Sequence, residues 1–410
     1  MKVAFNLGNA SQIAVFIAIF FLPIKTTLSN FGIFLLLGTT LISFFLKGVD
    51  LKIFESKKFW LGTPLILFIP FIIGLAYTDN YGAGLDDLRR CVFYVLLPFV
   101  LLRKDLSKEK TLRTAAFALI CGSVLSMTFL LATNLYKYFG QNPLSGSIFA
   151  YNYTGILFAK TLKDMHPVYL GSYFLMSLAI LLFGGTRINR GIKISILLLI
   201  FPTLVFLSSR IVFLATLVLL AVYWVIKLDK KLKTITAISA LIAVVFLGFL
   251  FKETYVYNKL VNGVKWELTQ NVNTNNLDTK RKSDSRMSRW TAAYNIFYET
   301  PFLGHGAGTE KSKLIQYYDD KDMQISKENE YNAHNQFLGY AIEFGTIGLF
   351  FCVTYFFVNF KMAFIKRDYC WLAYVAIVFS CCLTENYLIR NMGVNFVAIF
   401  GVIFHLKDEF

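Results

Sequence analysis

Residues 194–226 read ISILLLIFPTLVFLSSRIVFLATLVLLAVYWVI, and this stretch decides the fold. Two apolar runs, 194–208 and 211–226, are joined by a very short polar turn that contains Arg210. Each run approaches the roughly 20 residues that a helix needs to cross the hydrocarbon core of a bilayer. The stretch therefore predicts two antiparallel membrane helices, with Arg210 held at a fixed point on one membrane face.

The rest of the 410-residue chain repeats this pattern, since 56% of its residues are hydrophobic and only 16% are charged. Soluble domains carry about a quarter charged residues, so the composition excludes them. It predicts an all-α polytopic membrane protein with one membrane domain, residues 1–410. Apolar runs predict twelve transmembrane helices, at 8–24, 29–46, 59–77, 91–102, 114–134, 166–184, 194–208, 211–226, 234–251, 336–359, 370–384 and 392–406.

The net charge of +16 follows the loops between these helices. With the N-terminus inside, the termini and the cytoplasmic loops hold 21 Lys and Arg residues, and the short loops of the opposite side hold eight. Cytoplasmic loops of membrane proteins are enriched in Lys and Arg, so this bias predicts that both termini lie in the cytoplasm. It also explains much of the basic excess without a nucleic-acid partner.

One exoplasmic loop, residues 252–333, is far longer than the others, and loops of this length are usually functional or disordered. In its second half Met287, Trp290, Tyr294 and Phe297 recur at helical spacing. This pattern predicts an amphipathic helix that lies on the outer membrane face and ends before Pro301.

His334 and Arg210 are the first candidate site residues. A neutral imidazole can accept a proton, so His334 at the start of the tenth span would suit a general base. A histidine that only caps the helix explains the position as well. The guanidinium of Arg210 suits bidentate phosphate binding, and the alternative is a residue that anchors a helix end.

Further arginines lie on the outer side. Arg286 and Arg289 are three residues apart on the predicted amphipathic helix and so share a face. They indicate either an anion site or an ordinary solvated surface. Arg89 and Arg90 open the fourth span and are secondary candidates for phosphate contact.

Three other positions have weaker signals. Residues 304–308 (GHGAG) lack the flanking strand and lysine of known phosphate-binding loops, so they predict a flexible reversal with His305 unassigned. Glu343 lies inside the tenth span, where orienting an arginine or stabilising helix packing is the favoured role. His166 is either a polar contact or a helix start.

The sequence indicates neither a metal nor another cofactor. The six cysteines lie in or beside apolar spans and form no Cys-x-x-Cys pair. No Asp-x-Asp pair or other metal-ligand cluster lies on the outer side, so a metal-dependent sugar-nucleotide transferase is unsupported.

Together these segments resemble the O-antigen ligase family. The resemblance rests on Ser209-Arg210, on Ser288-Arg289-Trp290 with the following 301–306 (PFLGHG), and on 334–338 (HNQFL) continued by 343–350 (EFGTIGLF). It is specific over residues 205–350, and elsewhere it is only topological.

The resemblance implies a GT-C-like glycosyltransferase of the bacterial inner membrane whose active site faces the periplasm. It would transfer a glycan from undecaprenyl pyrophosphate to lipid A–core oligosaccharide, with inversion and without a metal. Arg210 and Arg289 would bind the leaving pyrophosphate, and His334 would activate the acceptor hydroxyl. Asn335 would orient the histidine.

Other activities stay open. Some ligases have His-x-His-Asn-Glu where this chain has Asn332-Ala333-His334-Asn335-Gln336, so roles of the first histidine and of the glutamate do not transfer. O-antigen polymerases and protein O-oligosaccharyltransferases share the lipid-linked donor. A transporter or flippase of lipid-linked sugars is the alternative from another class, although the paired interrupted helices common in transporters are not evident.

Overall fold

A computed structural model describes residues 7–140, 147–163, 165–185, 188–234, 236, 254–259, 263, 274–275 and 282–407. Within these residues the regular secondary structure is helical, apart from one pair of two-residue strands, Thr274–Asn275 and Lys282–Ser283. The strands are antiparallel, with Thr274 opposite Ser283. The prediction of an all-α protein is confirmed.

The chain divides into two compact units. The first comprises residues 1–123 and 289–410, and the second residues 124–288. Helices Lys108–Gly140 and Arg286–Glu299 cross the boundaries between them. The other helices of the first unit are Leu7–Phe20, Thr26–Lys47, Lys52–Glu55, Lys57–Gly62, Leu65–Leu75, Tyr81–Arg90, Phe93–Leu96, the 3₁₀ helix Leu97–Leu102, Glu310–Asp320, Gln324–Glu328, Gln336–Ile365, Tyr369–Cys382 and Asn391–His405.

Where the structure describes it, the second unit contains shorter segments and three long helices. Its helices are the 3₁₀ turns Tyr151–Tyr153 and Lys160–Leu162, and the α-helices Gly155–Ala159, Pro167–Phe183, Arg190–Leu207, Arg210–Lys227 and Tyr255–Tyr257. The two helices predicted from residues 194–226 are therefore present. Ser208 separates them in the left-handed conformation, with φ 46°.

Among the described residues, five helices are long and apolar enough to cross a membrane: Thr26–Lys47, Lys108–Gly140, Arg190–Leu207, Arg210–Lys227 and Gln336–Ile365. The segments Tyr151–Leu162 and Pro167–Phe183, bent by 78°, would add a sixth if they form one span. Shorter apolar helices occupy further predicted spans. The predicted span 234–251 lies almost wholly outside the described residues. The structure thus gives five candidate spans, and the count of twelve stays a prediction.

Arg103 lies among the predicted cytoplasmic charges, yet its side chain is fully buried. Its guanidinium binds both carboxylate oxygens of Asp105, at 3.0 and 2.9 Å, and also donates to Ser11 and Thr39. The hydrogen bonds from Arg103 lower the pKa of Asp105. This ion pair links the loop after residue 102 to the first two helices, because a buried charge needs such partners.

The helix Gln336–Ile365 is broken at Gly345. Gly345 has φ 59° and ψ −150°, a conformation that essentially only glycine adopts. The helix is therefore two helices end to end, and the break leaves backbone carbonyl and N–H groups without their intrahelical partners. Unpaired backbone groups are costly in an apolar medium, so they must find other partners.

The glycine-rich segment supplies partners for the first half of the broken helix. The N–H of His305 donates to the carbonyl of Ile342 at 2.9 Å, and the N–H of Gly306 donates to that of Glu343 at 2.8 Å. These are carbonyls at the end of the first half-helix, where no helical N–H follows.

Pro301 and Phe302, which come before the glycines, accept hydrogen bonds from the second half of the broken helix. The N–H of Thr346 donates to the carbonyl of Pro301 at 2.8 Å, and the N–H of Ile347 donates to that of Phe302 at 3.4 Å. Residues 301–306 therefore complete the hydrogen bonding on both sides of the break. We call them the bridging segment.

The bridging segment is packed, which differs from the predicted flexible reversal. Gly304 has φ 69°, and a Cβ atom there would lie 2.5 Å from the carbonyl carbon of Glu343. A side chain at this position would collide with the broken helix. Glycine is needed for close approach as well as for its backbone conformation.

We expect Gly345→Ala to lower the free energy of unfolding by about 2 kcal/mol, because alanine is strained at this φ and ψ. The added methyl would also lie 2.4 Å from the carbonyl oxygen of Phe302. Thermal unfolding of the purified protein in detergent would measure the change. Gly82→Ala is the matched control, since Gly82 is helical and nothing lies within 4 Å of its Cβ position. Equal melting temperatures for both variants would contradict the role of the break.

Candidate functional site

His334 lies directly before the broken helix. Its φ is 48°, and its N–H donates to the side chain of Asn332 at 3.1 Å. Asn335 caps the helix, accepting from the N–H groups of Phe337 at 3.0 Å and Leu338 at 3.3 Å. Asparagine is a favoured N-cap because its side-chain oxygen replaces a missing helical acceptor. The cap thus fixes the backbone that carries the imidazole.

Glu385 is the partner of the His334 imidazole. Its Oε2 lies 3.3 Å from Nδ1 of His334, and the residue is only 8% exposed. A carboxylate can only accept, so this contact favours a proton on Nδ1 and leaves Nε2 as an acceptor. A histidine oriented by a carboxylate in this way is suited to general-base chemistry.

Sequence reasoning missed Glu385, although a signal was present. The residue lies in Thr384-Glu385-Asn386, between the apolar helices Tyr369–Cys382 and Asn391–His405. A carboxylate next to apolar helices is costly unless it has a partner, and this position is the signal in the sequence that marks Glu385 as a candidate.

Arg289 is connected to His334 through Tyr331. The guanidinium carbon lies 5.0 Å from the centre of the Tyr331 ring, and the same ring lies 6.0 Å from the imidazole. Arg289 is 5% exposed. A cation above an aromatic face is attracted by the ring, which orients the guanidinium. The structure therefore brings two predicted site residues to one aromatic side chain.

The helix Arg286–Glu299 that carries Arg289 is present as predicted and ends before Pro301. Its buried positions include Ala292, Ala293 and Ile296, which join a core with Leu314, Tyr318, Met323, Ala333 and Ile342. Tyr294 of the predicted apolar stripe is 51% exposed, while Trp290 donates to the carbonyl of Ala333 at 3.0 Å. Two alanines and an isoleucine thus form the face of this helix that packs against the core. Contact with a membrane stays a prediction.

Glu310 is a buried carboxylate that contacts the backbone just before His334. Its Oε1 accepts from the N–H of Ala333 at 3.1 Å, and its Oε2 accepts from the amide of Asn386. Burial raises the pKa of Glu310 to about 7, against the opposing effect of these hydrogen bonds. Glu310 was not among the sequence candidates.

Glu343 lies beside Glu310 and is 3% exposed. Its Oε1 accepts from the backbone N–H of Glu310 at 3.3 Å, at the start of the helix Glu310–Asp320. A carboxylate is favourable at a helix N-terminus. This contact supports a structural role for Glu343, which stays a prediction.

Arg210 belongs to the second unit, where it begins the helix Arg210–Lys227. Its Nε donates to the carbonyl of Lys259 at 2.7 Å, and the side chain is half-buried. Within this unit the arginine is therefore held by a backbone contact with a segment 49 residues away.

The remaining candidates have local contacts. Arg89 pairs with Asp86 at 3.1 Å and Arg90 with Asp87 at 2.6 Å, so both guanidinium groups already have a carboxylate. The other three are placed as follows: His305 lies 3.2 Å from the carbonyl of Ile296, His166 lies against the ring of Tyr169 at 5.9 Å, and Arg286 begins its helix in the second unit.

Among the described residues, no group of three or more His, Cys, Asp and Glu side chains is arranged to hold a metal ion. The chemistry that these residues offer is a carboxylate-oriented imidazole near a buried guanidinium.

Comparison with known proteins supplies a family for this part of the chain. Residues 195–353 match the O-antigen ligase family. The predicted resemblance over 205–350 is thereby confirmed. None of the curated proteins compared with the chain matches it. The matched segment and the apolar helices indicate a membrane protein with a region similar to O-antigen ligases.

Glu310 should make the stability depend on pH. Its pKa is about 7 in the folded protein against a usual value of 4.5, so the unfolded chain loses the proton first as the pH rises. The free energy of unfolding then falls between these two values and stays low above them. Glu310→Gln has no proton to lose, so we expect its stability relative to the wild type to rise by about 3 kcal/mol between about pH 4 and about pH 8.

Thermal unfolding across this range would measure the difference. Glu328→Gln is the control, because Glu328 is exposed and lies only 18 residues from Glu310 in the sequence, and it should follow the wild type at every pH. A constant difference between Glu310→Gln and the wild type would contradict the raised pKa.

Proposed function

We propose that the chain is an O-antigen ligase. It transfers a completed glycan from undecaprenyl pyrophosphate to lipid A–core oligosaccharide, at the periplasmic face of the inner membrane. The observation that carries this proposal is the His334–Glu385 pair, joined through Tyr331 to Arg289. His334, Tyr331 and Arg289 lie within the family-matched segment, and Glu385 lies beyond it.

In the proposed reaction His334 acts as the general base. Its Nε2 takes the proton of an acceptor sugar hydroxyl as the oxygen attacks the anomeric carbon. The new glycosidic bond forms while the bond from that carbon to the pyrophosphate breaks, with inversion. Glu385 holds the imidazole in the required tautomer and stabilises its positive charge as the proton arrives.

The arginines act on the leaving group. Negative charge develops on the pyrophosphate as the glycosidic bond breaks, and Arg289 and Arg210 would stabilise it. Preformed positive charge in a water-poor site is an effective way to stabilise such a leaving group. Arg289 is buried and oriented by an aromatic ring, which supports this role. Since arginines can supply this charge, we propose that the reaction needs no metal.

Polymerase and protein O-oligosaccharyltransferase activities would use the same residues with other acceptors. The charge bias of the loops supports a periplasmic site and cytoplasmic termini. A lipid-linked sugar transporter would need no general base, so the oriented His334 disfavours it.

Purified protein should transfer glycan from undecaprenyl pyrophosphate to lipid A–core with a chelator present. We expect His334→Ala, Arg289→Ala and Arg210→Ala to reduce this transfer by about a hundredfold or more, because each removes a proton acceptor or a stabilising charge. Product bands on a gel would measure it, with Glu328→Gln as the control that retains activity.

Three outcomes would contradict the ligase. Elongation of the lipid-linked glycan without lipid A–core would identify a polymerase, and transfer to protein would identify an oligosaccharyltransferase. Movement of labelled lipid-linked glycan across liposomes, with no covalent product, would identify a transporter.

Glu385→Gln tests how the histidine is oriented. An amide can donate to Nδ1, which favours the proton on Nε2 and blocks the base. We expect the turnover number to fall by about a thousandfold, with little change in stability. Wild-type turnover in this variant would show that the Glu385 contact does not serve the reaction.

A further inference from the structure

We propose that Glu310 is the positioning residue that fixes the distance between His334 and Glu385. The inference rests on the proposed function, since it assigns a residue to the same site. It concerns a carboxylate that neither the sequence motifs nor the reaction itself requires.

One carboxylate binds both segments that carry the pair. Ala333, whose N–H donates to Oε1 of Glu310 at 3.1 Å, is the residue before His334. Asn386, whose amide donates to Oε2, is the residue after Glu385. These donors lie 23 and 76 residues from Glu310 in the sequence. Glu310 therefore connects two distant chain segments immediately beside the reacting imidazole and its partner.

A carboxylate suits this position because both neighbours are donors. Its two oxygens accept independently, whereas a glutamine side chain has one acceptor and one donor group. Above its pKa of about 7 the Glu310 carboxyl is ionised, and hydrogen bonds to an ionised acceptor are stronger than neutral ones. Replacement by glutamine keeps the volume. The NH₂ group of the glutamine would then face the NH₂ group of Asn386, unless the Asn386 amide rotates to present its oxygen.

Glu310 is itself held by the broken helix. Its backbone N–H donates to Glu343, whose carbonyl accepts from Gly306 of the bridging segment. The hydroxyl of Thr309 donates to the carbonyl of Gly306 at 2.7 Å. A series of hydrogen bonds thus connects the bridging segment to Glu310, and Glu310 to the neighbours of His334 and Glu385.

Space around the carboxylate is also restricted. A Cβ atom at Gly339 would lie 3.1 Å from Oε2 of Glu310 and 3.1 Å from the amide of Asn386. The first half-helix thus packs closely against the Glu310–Asn386 contact, and the carboxylate has little room to shift.

The distance that Glu310 would fix is a sensitive one. Nδ1 of His334 and Oε2 of Glu385 are 3.3 Å apart, near the outer limit of a hydrogen bond. A displacement of either segment by a fraction of an ångström would break the contact. Misplacement of about 1 Å can reduce an enzymatic rate about a hundredfold.

The test compares Glu310→Ala, Glu310→Gln and the control Glu328→Gln in the transfer assay and by nitrogen-15 NMR of labelled histidine. The chain has only four histidines, so each signal can be assigned with single substitutions. We expect Glu310→Ala to lower the turnover number about a hundredfold with an unchanged KM for the lipid-linked donor. Glu310→Gln should lie between Glu310→Ala and the wild type.

The NMR spectrum reports the orientation directly. In the wild type and in Glu328→Gln, the ring nitrogens of His334 should show the tautomer with a proton on Nδ1. In Glu310→Ala they should move towards values averaged over both tautomers, while His166 and His405 keep their signals. A merely structural role for Glu310 would not shift the tautomer of one histidine alone.

Wild-type turnover and an unchanged His334 signal in a folded Glu310 variant would overturn the proposal. If Glu310→Ala does not fold, Glu310→Gln and Asn386→Ala decide, since Asn386→Ala removes one of the two contacts without touching the carboxylate. A tautomer shift in a protein that transfers no glycan would support the positioning role and refute the ligase. Glycan transfer that is unchanged in the Glu310 variants would support the ligase and refute the positioning role.

Discussion

The break in the helix Gln336–Ile365 is the constraint on which the first unit depends. A helix interrupted at Gly345 exposes backbone groups that an apolar environment cannot satisfy. The bridging segment, residues 301–306, supplies both donors and acceptors for them. The fold therefore needs the chain to return to this point with glycine at the closest contact. The start of the broken helix, with His334 before it, is fixed as a result.

Buried charge extends this arrangement from the backbone to the site. Glu343 accepts at the start of the helix Glu310–Asp320, and Glu310 accepts from the segments next to His334 and Glu385. Each carboxylate has lost its hydration, so its remaining hydrogen bonds are strong and its loss would be costly. Residues that hold the backbone and the residues proposed for the reaction thus form one connected set.

Local motifs of the sequence predict His334 and Arg289 as site residues, and the structure brings both to one tyrosine ring. Their roles in a reaction stay predictions. Glu310 and Glu385 were missed because their partners lie 23 to 76 residues away in the sequence. The sequence did not predict which face of the helix Arg286–Glu299 packs inward, since two alanines and an isoleucine give a weaker periodic signal than its aromatic residues.

The sequence by itself determined that the protein is helical, that it has apolar helices long enough for a membrane, and that residues 195–353 match the O-antigen ligase family. These properties depend on composition, on periodicity and on short motifs. Only the tertiary structure decided which carboxylate orients His334 and why the chain has glycines at 304–308. Both depend on contacts between distant segments, and such contacts are selected by packing and by the need to pair every buried polar group.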